Sequence, residues 1–245
     1  MNELKRIDEF RAVLDDYRPS DTAKDALKPV KLVMFIGPTS SGKNTIIGEL
    51  LNSGKYHFVV SDTTRQPREN QGVLEQDGRE YWFRKEDDLL ADLQAGQFLE
   101  AAVIHNQQVS GTSIRELVAA GKEGKPALHE IEYVGAGNVH DVKPDGYFFF
   151  IVPPSFDEWM IRMSGRGALP ADETKRRLES AVKEISTALQ QDFYYFMVND
   201  TYKHAAQHID DIVTKDLRDA EAEKQARESA QELLEETRKY LESLA

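Results

Sequence analysis

The sequence predicts an α/β fold: a parallel central sheet with helices on both faces, in three layers, carrying an inserted subdomain of short strands, a small lid and helical extensions at both ends. Short β-branched apolar runs alternate with longer amphipathic runs, the pattern of strands joined by crossover helices. One strand-like run, VKLVMFI at 30–36, is apolar on both parities, as a parallel strand buried on both faces should be. It runs directly into a glycine loop and a helical segment. With 245 residues, 40% of them apolar, the chain is long enough to bury a sizeable core.

Taken in order, Leu4, Ile7, Phe10, Leu14 and Tyr17 recur at three- and four-residue steps and predict a helix over 3–17. Residues 18–29, RPSDTAKDALKP, read as a polar linker. Strands are expected at 30–36, 56–60, 79–84, 126–132, 147–152 and 194–198. Helices are expected at 43–51, 86–95, 112–121, 155–164, 171–190 and 201–213. The stretch 60–112 is dense in turn residues and is read as the insert. From 215 to 245 neither Gly nor Pro occurs, and Ala226, Ala230, Leu233, Thr237, Tyr240 and Leu244 form a seam of period 3.5. That tail either packs on the core or docks a protein partner or a second copy. The domain division is therefore 1–29, 30–214 (insert about 60–112, lid about 164–178) and 215–245.

Composition narrows the function. The net charge is −12, which disfavours general nucleic-acid binding, since a phosphate backbone needs clustered Lys and Arg. Any phosphate site must be local. Cysteine is absent, which excludes disulfides, thiolate metal sites and cysteine nucleophiles. No apolar run approaches the ~20 residues of a membrane helix. The first ten residues hold no apolar signal core, so a cytoplasmic location without membrane attachment is expected.

Residues 37–45, GPTSSGKNT, have the spacing G-x-x-x-x-G-K of a phosphate-binding loop, or P-loop. Gly37 and Gly42 permit a backbone that aims successive N–H groups of Pro38–Thr45 into one concavity, Pro38 itself excepted. The helix that follows adds its positive N-terminal dipole. Thr39, Ser40, Ser41, Lys43, Asn44 and Thr45 complete the candidate ATP site, with Lys43 reaching the β- and γ-phosphates. Asn44 stands where a magnesium-holding hydroxyl is usual; its amide oxygen, the Thr45 hydroxyl one place on, or water alone would hold Mg2+.

Residues 59–83, VVSDTTRQPRENQGVLEQDGREYWF, carry V-S-x-T-T-R-x-P-R and then D-G-x-x-Y. GQFLE at 96–100, SGTS at 110–113, LHEIEYVG at 128–135, the segment from FIVPPS to GRG at 150–167, RRL at 176–178 and VND at 198–200 follow. In this order the motifs resemble the guanylate kinase family, over about Lys31 to Ile212. The resemblance implies phosphoryl transfer from ATP to GMP, and probable acceptance of dGMP, with Mg2+. It implies that Arg65, Arg68 and Tyr81 hold the acceptor phosphate, with Ser110 and Thr112 nearby. Glu100, helped by Ser61 and Glu132, would accept the N1–H and 2-amino protons of guanine. Arg162, Arg166 and Arg177, with Lys43 and Arg65, would neutralise the transferring phosphoryl group. The sequence departs from the family pattern at four further places. Val109 and Ser110 each replace a tyrosine, Val134 a glutamine, and Glu132 an aspartate. Two other readings of the same motifs stay open: a kinase of this fold acting on a ribose bisphosphate, and a non-catalytic module that binds protein partners.

Overall fold

The structure, a computed structural model, describes residues 4–70, 72–165 and 170–244. In chain order the elements begin with α1 (Ile7–Leu14), α2 (Asp21–Leu27), β1 (Leu32–Ile36), α3 (Lys43–Asn52) and β2 (His57–Phe58). The short strands β3 (Asp62–Thr63), β4 (Glu69–Asn70), β5 (Val73–Leu74) and β6 (Trp82–Phe83) come next. Then follow α4 (Glu86–Gln94), β7 (Phe98–Ile104), β8 (Gln108–Ser113), α5 (Ile114–Lys122), β9 (Ala127–Glu130) and α6 (Tyr133–Val142). The last third holds β10 (Tyr147–Val152), α7 (Phe156–Ser164), α8 (Ala171–Leu189), β11 (Tyr194–Val198), α9 (Tyr202–Lys215) and α10 (Ala220–Ser243). The chain divides into two compact units.

The first unit comprises residues up to 32, 57–129 and 138–145. Its sheet has the order β6-β3-β8-β7, with β7 and β8 an antiparallel hairpin and β3 antiparallel to β8. Beside it β2 and β9 run parallel. The N-terminal helix is integral to this unit. Phe10 and Leu4 are buried with Leu89, Leu90 and Leu93 of α4 and Phe98 and Val109 of the hairpin. Tyr17 fixes the junction: its hydroxyl donates to Phe98 O at 2.9 Å and accepts from Phe98 N–H at 2.8 Å. The stretch expected to be a linker contains α2. Ser20 Oγ caps it by accepting from Ala23 N–H at 3.2 Å, and Ala23 and Leu27 are buried. Seven residues give too few turns for helical periodicity to show in the sequence. Asp62 is fully buried and is neutralised by Arg84 at 2.8 Å and Arg115 at 3.0 Å.

The second unit comprises residues 33–56, 130–137 and 146 onward. Here β1, β10 and β11 run parallel, in register Phe35↔Phe149 and Phe150↔Phe196. All five residues of β1 are buried, which explains an apolar run without alternation. Rings from β10 and β11 pack edge-on and tilted, Phe148 on Phe193 at 5.2 Å and Phe150 on Phe196 at 5.1 Å. Helix α10 lies against α8, β11, α7 and β10, burying Ala226, Ala230, Leu233, Leu234 and Thr237. The period-3.5 seam is thus packed within the chain as far as Tyr240, whose ring lies tilted against Phe156 at 5.3 Å, while Leu244 at its end is exposed. Arg227 of the same helix covers the Phe196 ring at 4.6 Å and donates to Leu189 O and Gln191 O, both at 3.0 Å. It thereby supplies partners for backbone carbonyls at and just past the end of α8.

Helix α6 was not expected, because Gly135 and Gly137 within it break its helical signal. Among the described residues no helix is long and apolar enough to cross a membrane.

Candidate active site

In the second unit the glycine loop joins β1 to α3, as its spacing predicts. Gly37 and Gly42 have φ of +136° and +97°, and Ser40 is also left-handed at +66°. Two of the three positions therefore need glycine's freedom. Gly42 also has no room for a side chain, because the Asn199 amide lies where its Cβ would stand. Lys43 opens α3 and is nearly buried. Its Nζ donates to Gly37 O and to Pro38 O (3.2 Å), and Glu130 Oε1 lies 3.4 Å away.

Thr39, Ser40, Gly42, Lys43, Asn44 and Thr45 line one cavity of about 280 Å³ with Glu130 and Arg162. Arg162 is held from two sides, by Glu158 Oε1 at 3.0 Å and by Asn199 O at 3.1 Å. The structure thus brings Arg162, one of the residues expected at the donor phosphates, beside the glycine loop. Arg177 is not brought there: it pairs with Glu173 of its own helix at 2.8 Å. Arg166 and part of the expected lid lie outside the described residues.

Three residues that sequence reasoning did not assign shape this cavity. Asn199 donates from Nδ2 to Ser41 O at 2.8 Å while its own N–H bonds Val152 O at 2.8 Å, so it ties the loop to β10. Its place in the VND motif was the available signal. Trp159 Nε1 donates to Thr39 O at 2.8 Å and fixes the other side of the loop. Glu184, on α8, accepts from the Gly37 N–H. Burial, with Glu132 and Glu130 adding repulsion, pushes its carboxyl up to about 7 against the opposing pull of Lys43.

The amide oxygen of Asn44 and the hydroxyl of Thr45 are both exposed on this cavity, and such hard oxygen donors suit Mg2+. Among the described residues no group of three His, Asp or Glu could hold a metal unaided. A magnesium ion here would take most of its ligands from phosphate and water.

The first unit carries the other constellation. Arg65 and Arg68 line a cavity of about 1000 Å³ with Thr64, Arg84, Lys85 and Lys5 of the N-terminal segment. Arg65 lies 4.7 Å from the Tyr81 ring centroid, a cation–π contact. Its guanidinium is also bonded by both oxygens of Glu75, a partner the sequence did not reveal. That guanidinium holds the Glu75 carboxyl down at about 2, helped by the Arg68 N–H that donates at 2.8 Å. Ser110 is 2.8 Å from Thr63 Oγ1 and accepts from Gln108 Nε2 at 3.2 Å, so its short hydroxyl is tied into the hairpin.

Two residues along the same sheet, Glu100 stands opposite Thr112 in the β7–β8 register. Thr112 Oγ1 lies 2.7 Å from Glu100 Oε1. Gly111 allows this closeness, since a Cβ there would stand 2.5 Å from Glu100 O. Ser61 is half-buried, and its carbonyl accepts from Trp82 N–H at 2.9 Å. Glu132 belongs to the second unit, where its carbonyl receives the N–H groups of Gly135 and Ala136 at the start of α6. Val134, in place of the family glutamine, is exposed.

A parallel sheet whose glycine loop presents a lysine at a helix start, in a chain that also carries an arginine pair in a loop between short inserted strands, defines a P-loop nucleotide kinase. The comparisons with known proteins are specific. The guanylate kinase family model matches residues 29–216. The chain is 37% identical over 185 residues to guanylate kinase of Corynebacterium diphtheriae, covering 75% of this chain and 94% of that protein. It is 36% identical over 191 residues to guanylate kinase of Bifidobacterium longum, with 76% and 94% covered. In structure it is similar to guanylate kinase of Anaplasma phagocytophilum, with a TM-score of 0.54, 25% identity, and 79% and 88% of the two chains covered. The chain belongs to the guanylate kinase family.

Proposed function

We propose that the protein is an ATP:GMP phosphotransferase that makes GDP and ADP, with dGMP as a second acceptor. The observation that carries this reading is that one unit holds both a guanidinium pair suited to a phosphate, in the loop that follows β3, and a carboxylate suited to guanine on β7, in the sheet to which β3 belongs. Guanine presents two adjacent donors, N1–H and the 2-amino group, and Glu100 can accept both. Adenine presents no such pair, so its edge would not offset the desolvation of the carboxylate, a cost of about 3 kcal/mol. Arg68 and the N–H groups of Arg65 not used by Glu75 would grip the acceptor phosphate beside the Tyr81 hydroxyl. Ser61 and Glu132 are assigned supporting roles at the base on the resemblance alone.

The donor is ATP, its phosphates wrapped by the loop N–H groups, with Lys43 and Arg162 placed to neutralise the charge that spreads over the transferred group. Arg166 and Arg177 would join them on the family pattern. Mg2+, held by phosphates, water and the oxygens of Asn44 or Thr45, would supply further charge neutralisation. No general base is required, because positioning and electrostatics account for phosphoryl transfer between nucleotides. A cytoplasmic reaction, without nucleic-acid or membrane partners, is part of this proposal.

The test is a steady-state assay with MgATP and a panel of GMP, dGMP, AMP, UMP and ribose bisphosphates. GMP should have by far the highest kcat/KM. Activity confined to AMP or UMP would overturn the base assignment. Turnover of a ribose bisphosphate alone would favour the other kinase reading, and no turnover with any acceptor the protein-binding module.

A further inference from the structure

The carboxylate read as the guanine acceptor is the first member of a buried chain of polar atoms within the first unit. Thr112 Oγ1 lies 2.7 Å from Glu100 Oε1 and 2.8 Å from His129 Nε2. His129 Nδ1 in turn lies 3.2 Å from Val59 O. Thr112 is fully buried and His129 nearly so. The His129 side chain sits at the end of β9, where the resemblance aligns no functional residue.

Counting protons shows that the chain is short by one. Burial holds the imidazole well below its usual range, at about 4, so the ring is neutral at physiological pH and carries a single N–H. Val59 O can only accept, so that proton belongs on Nδ1. Nε2 is then an acceptor. The Thr112 hydroxyl has one proton and faces two acceptors, Glu100 Oε1 and His129 Nε2. It can satisfy only one of them at a time. A base that donates two N–H groups to Glu100 satisfies the carboxylate and releases the hydroxyl proton toward the ring.

We propose that His129 is a positioning residue for base recognition, taking the Thr112 hydroxyl proton when a guanine base occupies Glu100. This inference rests on the reading of Glu100 as the guanine acceptor. Without the imidazole, the hydroxyl proton has Glu100 as its only nearby acceptor and competes with the base for it. The cost then falls on acceptor binding, while phosphoryl transfer is left alone.

The test joins spectroscopy on the whole chain to kinetics. In the free protein, nitrogen-15 spectra should show His129 protonated at Nδ1 and bare at Nε2. Saturating GMP should shift the Nε2 signal toward that of a stronger hydrogen bond, and IMP, which lacks the 2-amino group, should shift it less. Thr112→Val should abolish that shift. In the assay, His129→Leu should raise the KM for GMP about tenfold with kcat within about twofold, and should narrow the preference for GMP over IMP. His129→Gln, which restores an acceptor facing Thr112, should recover most of the loss. A proton on Nε2 in the free protein, or a KM for GMP unchanged in a folded His129→Leu, overturns the proposal. Should His129→Leu fail to fold, the tautomer and the GMP-induced shift in the wild-type chain decide it. The two readings fail separately: a wild-type chain inactive on GMP overturns the proposed function, whereas an active wild type with indifferent His129 variants overturns this inference alone.

Discussion

Arg65 and Glu75 meet as a bidentate pair, Nη1 to Oε2 at 2.5 Å and Nη2 to Oε1 at 2.9 Å, with both side chains about nine-tenths shielded from water. Arg65 Nη1 also donates to Gln66 O at 3.0 Å, so three of its five N–H groups are engaged in fixing the guanidinium plane. The remainder are left for Tyr81 and a phosphate.

Glu75→Gln should therefore act on acceptor binding. The KM for GMP should rise about tenfold while kcat changes less, because the guanidinium loses its orientation and keeps its charge. Breaking a shielded pair should also cost stability, on the order of 3 kcal/mol, read by urea unfolding at neutral pH. In the wild type the depressed Glu75 carboxyl contributes stability that is fully present above about pH 4.5 and is lost as pH falls toward about 2. The variant should lack that acid-side dependence.

Lys43→Met should lower kcat by about 10²- to 10³-fold, with KM for GMP little changed. Its amine donates to the carbonyls of Gly37 and Pro38, and in the proposed function it would turn to the donor phosphates. Initial rates at saturating substrates, with circular dichroism to verify the fold, check this.

Glu184→Gln should stabilise the protein in alkaline solution. The folded carboxyl titrates at about 7 and the unfolded one near 4.5, so between these values the folded state binds the extra proton. Stability from this group falls as pH rises through that window, and above it the charged carboxylate is a burden. The gain at pH 8 should be about 1 kcal/mol once partial exposure is allowed for, and close to zero at pH 4.5. Urea unfolding of both proteins at the two pH values measures it.

Leu233→Ala should cost about 3 kcal/mol, because Leu233 is 2% exposed on the buried face of α10. A chain ending at Lys215 should lose more, exposing β11 and α8. Thermal unfolding of both variants checks the prediction, and sedimentation of the shortened chain tests whether α10 also carries assembly.

What could be read from the sequence was whatever rests on local pattern. Strand, glycine loop and helix at 30–51 follow from apolar runs and from two glycines whose φ values the loop demands. Arg65 and Tyr81 are sixteen positions apart, and only the motif order suggested that they meet, as they do. Glu75, Glu184 and His129 were invisible for one reason: each is a single polar residue whose contacts, with Arg65, Gly37 and Thr112, follow from no motif or periodicity. Helices α2 and α6 were missed for local reasons, one being too short and the other interrupted by glycines. Arg177 stands at a motif position, yet in the structure its ion-pair partner is Glu173, one helical turn away on its own helix.

The double hydrogen bond between Tyr17 and Phe98 also sets an order of events during synthesis. The two residues are 81 positions apart. Helix α1 leaves the ribosome long before α4 and β7, its packing partners, exist. A helix of 8 residues is too short to persist in water by itself. Its apolar face must therefore wait, exposed, through the translation of the entire glycine loop and most of the insert, which makes the first 17 residues the natural place for a chaperone to hold the nascent chain.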